Sequence, residues 1–325
     1  MILDIILLLV GFVILIKGAD IFVNGSSNVA KRLNVSPLII GLTIVALGTS
    51  APEAAVSISA GIAGSNEIAV SNIVGSNMFN LLLIVGLCAI IKNLKVDEII
   101  IKREFPLSLL STFVLWFMIS NVIDVEGSNG IITRSEGLIL LSFFGIFVYS
   151  NLMSAFKQKN ELTEKEKEEN KKISLLKNII LLVVGLALVV FGGDMVVDNA
   201  SSIAIAIGIS ETLVGLTIVS IGTSLPELVT SIVATTKGEN DIAIGNVIGS
   251  NIFNILFILG ASALVTPLVV NAQLIKYTVI LIAISIIGYI FAITGKKIGR
   301  KEGICMVIMF IMYLLLTLFD EGIFM

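Results

Sequence analysis

A phrase of thirteen residues occurs twice in this chain, at residues 41–53 and again at residues 215–227. Ten of its thirteen positions are identical, and the two copies are 174 residues apart. Each copy places a proline and a glutamate, Pro52-Glu53 and Pro226-Glu227, inside an otherwise apolar stretch. Both residue types are costly in a lipid bilayer, so a chain that carries the pair twice is predicted to hold a cation there.

The composition indicates a helical membrane protein. Hydrophobic residues make up 56% of the chain and charged residues 14%, and the mean hydropathy is +1.06. Soluble domains carry about 25% charged residues. Apolar runs of about 20 residues recur along the chain, and each is long enough to cross the hydrocarbon core of a bilayer as a helix. Ten spans are predicted, at residues 2–24, 36–62, 67–91, 104–122, 136–155, 174–198, 210–236, 241–266, 273–294 and 302–320.

The repeat predicts how these spans are organised. Further residues match at the same offset, among them Ser57 with Ser231 and Asn72 with Asn246. Each half then holds five spans, and because five is odd, equivalent helices cross the membrane in opposite directions. The prediction is an all-α protein of two inverted five-helix repeats, which is the architecture of many secondary transporters. The repeats are assigned to residues 1–155 and 174–325, and a charged linker at residues 156–173 joins them.

The basic residues predict the orientation. With the linker placed in the cytoplasm, 18 of the 21 Lys and Arg residues fall on the cytoplasmic side. Positively charged loops are retained there. Both termini are therefore expected outside the cell, in a protein of the plasma membrane.

The repeated phrase has the chemistry of a cation site. Pro52 removes a backbone donor and should break the helix, which frees carbonyl oxygens near residues 46–49. Glu53 follows Thr49 and Ser50 by four and three residues, so these side chains share a helix face. The second copy repeats this arrangement of threonine, serine, proline and glutamate at residues 223–227. The alternative is that Glu53 and Glu227 are merely buried and protonated, and the repetition of the whole motif favours ion binding over it.

Two carboxylates in the middle of the membrane restrict which ions the site can bind. They repel each other unless a cation lies between them or one is protonated. Oxygen ligands with two negative charges suit Ca²⁺ or Na⁺ better than Zn²⁺ or Cu²⁺. The chain contains no histidine, which excludes Ser-His-Asp and Cys-His catalytic arrangements and histidine metal ligands. No nucleophile–base pair is visible, so an enzyme is not predicted.

A second repeated motif lies on the next span of each half. Ser76 and Asn80 are four residues apart, as are Ser250 and Asn254, so each pair faces one way. The asparagines follow the glutamates by 27 residues in both halves, which is enough to leave the membrane core and return to the same depth. An amide oxygen there is a neutral ligand beside the carboxylates. The alternative is helix packing through small residues, with the polar groups joining neighbouring helices.

Together the two motifs resemble the α-repeats of the cation/Ca²⁺ antiporter superfamily, in particular those of its sodium/calcium exchangers of prokaryotic type. The resemblance covers essentially the whole chain and rests on residues 48–53 with 75–80 and on residues 222–227 with 249–254. It implies ten helices in two inverted halves and exchange of Ca²⁺ for Na⁺ by alternating access. It also implies that Ca²⁺ and Na⁺ are the ions bound, and neither an organic cofactor, a nucleic acid nor an obligatory protein partner is expected.

The resemblance also implies roles for particular residues. Glu53 and Glu227 are expected to be the central carboxylates that bind Ca²⁺. The other expected ligands are the main-chain oxygens of Thr49 and Thr223, the side chains of Ser50, Ser224, Ser76 and Ser250 at sodium positions, the carbonyls of Ala46 and Ser220 at the outer sodium positions, and Asn80 and Asn254 in the middle.

The departures from the family pattern concern the coupling ion. Potassium-dependent exchangers carry aspartate at the position of Asn254, which weighs against K⁺ cotransport here. Some prokaryotic members also carry aspartate there, so the middle of this site has one acid fewer than theirs. Proton-coupled calcium exchangers have a Gly-Asn-x-x-Glu motif instead of residues 249–254. Ca²⁺/H⁺ exchange and a passive cation channel are the alternatives that stay open.

Overall fold

The computed structural model describes residues 2–120, 130–161, 163–208 and 220–320, and these are predominantly helical. The longer helices are α1 (Ile2–Leu33), α2 (Pro37–Thr49), α3 (Ala51–Ile62), α4 (Asn66–Ile91), α5 (Phe105–Ile119), α6 (Arg134–Glu161), α7 (Glu164–Lys171) and α8 (Leu175–Ala206). They are followed by the short α9 (Ser220–Gly222) and by α10 (Leu225–Lys237), α11 (Asn240–Val265), α12 (Ala272–Ile293) and α13 (Arg300–Asp320).

Apolar helices of membrane-spanning length dominate the described chain. Seven are long and apolar enough to cross a bilayer, and the bent pair α2–α3 makes eight if it counts as one span. The predicted span 104–122 corresponds to α5, which follows a turn of π-helix at Ile100–Glu104. The predicted span 210–236 begins outside the described residues. The two long helices α1 and α8 extend past the predicted ends at residues 24 and 198.

Helices α1 and α8 pack against each other through glycines. A Cβ atom at Gly25 would lie 2.7 Å from the main-chain nitrogen of Leu182, and one at Gly192 would lie 2.6 Å from that of Leu15. Only a residue without a side chain allows two helix backbones to approach this closely. The outer faces of both helices expose large apolar side chains, as a lipid-facing surface requires.

The centre of the molecule is formed by α4 and α11. Their most apolar windows are 78% and 94% buried, whereas the corresponding windows of α6 and α13 are 17% buried. The main hydrophobic cluster includes residues of both central helices, such as Ile73, Met78, Ile248 and Ile252. The central pair is therefore enclosed by the other helices, and polar groups on it are shielded from lipid.

Turns of π-helix interrupt several of these helices. They lie at Gly41–Val45 within α2, at Phe79–Ile84 within α4 and at Phe253–Leu259 within α11. Such turns contain one extra residue per turn and are frequent at functional sites. Nothing in the apolar periodicity predicted them, and two of them contain the asparagines of the second repeated motif.

Two short antiparallel strand pairs connect the segments between the helices. Strand β1 (Leu94–Lys95) pairs with β4 (Lys297–Ile298), and β2 (Gly130–Ile132) pairs with β3 (Leu268–Val270). Each pair joins a segment of the first half of the chain to a segment of the second half. The two halves are thus linked at both ends of the bundle.

Candidate cation site

The repeated proline–glutamate motif lies at two helix breaks. Helices α2 and α3 meet at an angle of 49°, and Ser50 occupies the break with φ −81° and ψ 9°. Ser224 precedes α10 with nearly the same values, φ −90° and ψ 5°. Each proline lies in the first turn of the following helix, where its missing N–H has no cost. Glu53 and Glu227 therefore lie in the first turns of α3 and α10, where the helix dipole favours negative charge.

The two glutamates are held crosswise by serines of the opposite half. The hydroxyl of Ser50 donates to Oε1 of Glu227 over 2.8 Å, and that of Ser224 donates to Oε1 of Glu53 over 2.8 Å. Both carboxylates are buried, with Glu53 1% and Glu227 0% exposed, and each bonds to the serine that lies three residues before the other. The structure thus brings together the two acids that the sequence places 174 residues apart.

The serines of the second motif complete a short hydroxyl chain on each side. Ser250 Oγ lies 2.9 Å from Ser50 Oγ, and Ser76 Oγ lies 3.2 Å from Ser224 Oγ. A hydroxyl has a single proton, so Ser50 donates to the carboxylate and accepts from Ser250. All four serines predicted as ligands therefore lie around the glutamates.

Four buried oxygens beside these serines have no hydrogen-bond partner among the described residues. They are Oε2 of Glu53, Oε2 of Glu227, Oδ1 of Asn80 and Oδ1 of Asn254. Buried polar oxygens are nearly always satisfied, because an unpaired one costs free energy. Two carboxylate and two amide oxygens form a set of hard ligands suited to Ca²⁺ or Na⁺.

The amide nitrogens of the same asparagines are held by two further asparagines. Asn80 Nδ2 donates to Oδ1 of Asn251 over 3.1 Å, and Asn254 Nδ2 donates to Oδ1 of Asn77 over 2.9 Å. Asn77 and Asn251 were not predicted as functional residues. Their only signal in the sequence is that they match at the repeat offset within the second motif.

The threonine hydroxyls point to the neighbouring central helix. Thr49 Oγ1 lies 3.0 Å from Oδ1 of Asn246, and Thr223 Oγ1 lies 3.5 Å from Oδ1 of Asn72. The amide nitrogens of these asparagines donate to two more serines, Ser231 over 3.0 Å and Ser57 over 2.9 Å. The predicted ligands at both threonines are main-chain oxygens, and the side-chain contacts fix the helix breaks next to the site.

The two residues predicted as outer ligands are placed differently. Ala46 is buried, and its carbonyl accepts the main-chain N–H of Ser50 over 3.0 Å and lies 3.4 Å from Oγ1 of Thr49. In the second half the equivalent N–H of Ser224 bonds to the carbonyl of Ile221 over 3.1 Å. Ser220 begins the short helix α9, and its side chain is not among the described parts of the chain.

A cavity of about 500 Å³ leads to one side of this site. Its wall includes Ser76, Asn72 and Thr223 near the glutamates, and Glu67 and Thr317 farther out. The repeat-equivalent residues on the other side of the site are closed off, since Ser250, Asn246 and Thr49 are each 0% exposed. Among the described residues, the candidate site is thus open toward the helix ends that the basic residues predict to be extracellular and closed toward the opposite ends.

Buried acids at broken helices, inside a bundle of apolar helices, define an integral membrane protein of the ion-transporter class. A sequence profile of the family described as sodium/calcium exchanger protein matches residues 3–153 and 177–319. The chain belongs to this family.

Individual relatives agree with this assignment. The chain is 40% identical to the putative antiporter CaxA of Alkalimonas amylolytica, with 95% of this chain and 96% of that protein covered. It is 35% identical to the sodium/calcium exchanger MaX1 of Methanosarcina acetivorans, with 96% and 98% covered. Among solved structures, the sodium-calcium exchanger NCX_Mj soaked with 10 mM Na⁺ and zero Ca²⁺ superimposes with a TM-score of 0.83 at 32% identity, over 97% of this chain and 98% of that one.

Proposed function

We propose that this protein exchanges Ca²⁺ for Na⁺ across the membrane by alternating access. The observation that carries the proposal is the group of four unpartnered buried oxygens on Glu53, Glu227, Asn80 and Asn254. A cation among them would satisfy all four at once and would relieve the repulsion between the carboxylates. The family assignment and the two exchangers named above support the identity of the ions.

The proposed ligand set is the one that the resemblance to sodium/calcium exchangers implies. Ca²⁺ binds between Glu53 and Glu227, with the main-chain oxygens of Thr49 and Thr223 as neutral ligands. Na⁺ binds at the same carboxylates and at flanking positions. Those positions are formed by Ser50, Ser224, Ser76, Ser250, the amide oxygens of Asn80 and Asn254, and the carbonyls of Ala46 and Ser220.

We propose that the exchange is electrogenic, with a third Na⁺ bound beyond the two that the acids balance. The described residues of the site include two acids, Glu53 and Glu227, whose charges balance one Ca²⁺. A third Na⁺ would leave the loaded site with one positive charge. A cycle of three Na⁺ against one Ca²⁺ therefore moves net charge, and the membrane potential would drive it.

The proposed architecture is ten spans in two inverted halves, residues 1–155 and 174–325, joined by the linker 156–173. Contacts that recur at the repeat offset support it, since Asn72 bonds to Ser57 as Asn246 bonds to Ser231. We place the protein in the plasma membrane with both termini outside. The cavity beside Asn72 then opens to the extracellular side.

Alternating access requires a second conformation in which the opposite side of the site opens. Helices α1 and α8 contact each other along their length through glycines, and smooth glycine surfaces suit a pair that moves as one unit. We propose that this pair slides against the ion-binding bundle. The sliding closes the side of Asn72 and opens the side of Asn246.

The test is Ca²⁺ uptake by vesicles that contain the purified protein, driven by imposed Na⁺, K⁺ or H⁺ gradients. Uptake is expected with an outward Na⁺ gradient and is expected to be lost in Glu53→Gln and in Glu227→Gln. Glu98→Gln is the control, because Glu98 is 54% exposed and pairs with Lys102 outside the site. Uptake retained in both site variants would refute the site assignment.

The same vesicles distinguish the two alternatives. Uptake driven by a pH gradient without Na⁺ would assign Ca²⁺/H⁺ exchange. Flux far above carrier rates and independent of any counter-ion would assign a channel.

A further inference from the structure

The amide groups of Asn80 and Asn254 face the proposed cation with their oxygens, and something must select that orientation. An asparagine amide can turn over, so that NH₂ and oxygen exchange places, and a turned amide would present two donors to a cation. We propose that Asn77 and Asn251 are positioning residues, which hold Asn254 and Asn80 with their oxygens toward the ion. This inference rests on the proposed cation site and names the residues that preorganise it.

The orientation can be traced from a group that is only an acceptor. Asn77 Nδ2 lies 3.2 Å from the main-chain carbonyl oxygen of Asn251. A carbonyl cannot donate, so the NH₂ end of Asn77 must face it and the Oδ1 end must face the other way. There Oδ1 meets the side chain of Asn254 at 2.9 Å. Asn254 must then donate through Nδ2, which leaves its own Oδ1 as the unpartnered oxygen of the site.

The hydrogen bonds that orient Asn254 form the first arm of the arrangement. Those that orient Asn80 form the second arm, which has the same pattern with longer distances. Asn251 Nδ2 lies 3.5 Å from the carbonyl oxygen of Asn77, and Asn251 Oδ1 lies 3.1 Å from Asn80 Nδ2. Because both of its contacts are longer, this arm holds Asn80 less firmly than the first arm holds Asn254. The four side chains are 1% to 3% exposed, so water does not replace these hydrogen bonds in the described conformation.

The arrangement crosses between the two halves of the chain. Asn77 lies on α4 and orients Asn254 on α11, whereas Asn251 lies on α11 and orients Asn80 on α4. Each half therefore positions the amide ligand of the other half. Polar groups that only join α4 to α11 would change Ca²⁺ affinity to the same extent whichever amide ligand is removed, so a coupling specific to one ligand separates a positioning role from a structural one.

The experiment is a pair of double-mutant cycles on Ca²⁺ binding to the purified full chain in lipid nanodiscs. Asn77→Ala is expected to raise the half-saturating Ca²⁺ concentration about tenfold, as is usual for residues that orient a metal ligand. Combined with Asn254→Ala, it should add almost nothing, because the ligand that it orients is gone. The matched control is Asn77→Ala with Asn80→Ala, whose effects should multiply.

The reciprocal cycle has the opposite pattern. Asn251→Ala should be coupled to Asn80→Ala and not to Asn254→Ala, and its coupling should be smaller than that of the first arm. Multiplicative effects in every pair would overturn the inference, as would a stronger coupling of Asn77 to Asn80 than to Asn254. If Asn77→Ala is not folded by size-exclusion chromatography, Asn77→Val serves in the same cycles. Wild-type protein that binds no Ca²⁺ would instead refute the proposed function, which keeps the two failures distinct.

Discussion

The hydroxyl of Ser50 donates to the carboxylate of Glu227 over 2.8 Å, although 177 residues separate them in the chain. The equivalent bond, from Ser224 to Glu53, has the same length. Each acid of the site is therefore held by the helix break of the other half. The position of each acid therefore depends on how the two helix breaks lie relative to each other.

The first prediction concerns these serine hydroxyls. Ser50→Ala and Ser224→Ala each remove a hydroxyl whose oxygen is proposed as a Na⁺ ligand and whose proton bonds to a buried carboxylate. A hydrogen bond to a charged group contributes about 1.5–3 kcal/mol, which corresponds to a change in affinity of roughly 10-fold to 100-fold. The half-saturating Na⁺ concentration for exchange should rise by that factor and that of Ca²⁺ by less, because the serines are proposed as Na⁺ ligands.

Ser59→Ala is the matched control for this prediction. Ser59 lies on α3 as well, but its side chain is exposed on the outer face of the helix. Its replacement should leave both ion dependences unchanged. If Ser50→Ala raised the half-saturating concentrations of Na⁺ and Ca²⁺ by the same factor, the assignment of this serine to a Na⁺ position would be contradicted.

The second prediction concerns the one-sided access to the site. Val56 lines the cavity and is 38% exposed, whereas its repeat equivalent Thr230 is 0% exposed. In a background without Cys88 and Cys305, Val56→Cys should react rapidly with a membrane-impermeant thiol reagent added outside the cell. Thr230→Cys should be protected from the reagent on either side while the cation site is empty.

Addition of transport ions supplies the check on that experiment. If the carrier alternates, Thr230→Cys should become reactive toward reagent on the cytoplasmic side under exchange conditions. Protection of Thr230→Cys under all conditions would argue against a second conformation that opens this side.

Much of this candidate site could be predicted from the sequence, because its polar residues occur in both copies of the repeat. A glutamate after a proline in an apolar stretch predicts ion binding, and the hydrogen bonds from Ser224 to Glu53 and from Ser50 to Glu227 bring the two acids to one place. The crosswise bonds of Ser50 and Ser224 could not be predicted, since spacing places each serine beside the glutamate of its own half. Contacts between residues far apart in the chain depend on how the two halves dock, and local spacing does not record that.

The π-helical turns and the roles of Asn77 and Asn251 were missed for related reasons. A π-turn at Phe79–Ile84 or Phe253–Leu259 leaves the apolar pattern intact, because the surrounding residues are buried on all sides. An extra residue in one turn rotates the rest of the helix, and the hydropathy pattern shows this rotation only when one face of the helix is polar. An asparagine that orients another asparagine resembles an ordinary helix-packing residue until both amides are located.

The third prediction concerns the contact between α1 and α8. A Cβ atom at Gly185 would lie 2.6 Å from Cα of Phe22, so a side chain there forces the two helix backbones apart. Gly185→Ala should lower the free energy of unfolding by about 1–3 kcal/mol, the usual cost of overpacking. Gly145→Ala on α6 is the control, because no atom lies within 4 Å of its Cβ position. Thermal unfolding of both variants in the same detergent measures the difference, and equal unfolding midpoints would contradict the close contact.

The fourth prediction concerns polar contacts at the closed side of the site. Lys237 Nζ lies 2.7 Å from Asp20 Oδ1 and 2.7 Å from Asn24 Oδ1 on α1, and the neighbouring Glu239 accepts a hydrogen bond from Ser27 over 2.7 Å. The residues at the repeat-equivalent positions of Lys237 and Glu239 are alanine and serine, at positions 63 and 65. The extracellular side, where the cavity lies, therefore has no lysine that matches Lys237. The contacts of Lys237 and Glu239 with α1 should favour the conformation in which the cytoplasmic side is closed.

Lys237→Gln should shift the carrier toward the conformation that is open on the cytoplasmic side. A partly exposed ion pair contributes at most about 1 kcal/mol, so the shift in the conformational equilibrium should not exceed about fivefold. The measurement is the labelling rate of Thr230→Cys from the cytoplasmic side, with and without Lys237→Gln. Lys276→Gln is the control, because it removes an ion pair with Asp320 near the cavity mouth and should not increase that rate. An unchanged rate in Lys237→Gln would show that the contacts to α1 do not set the resting orientation.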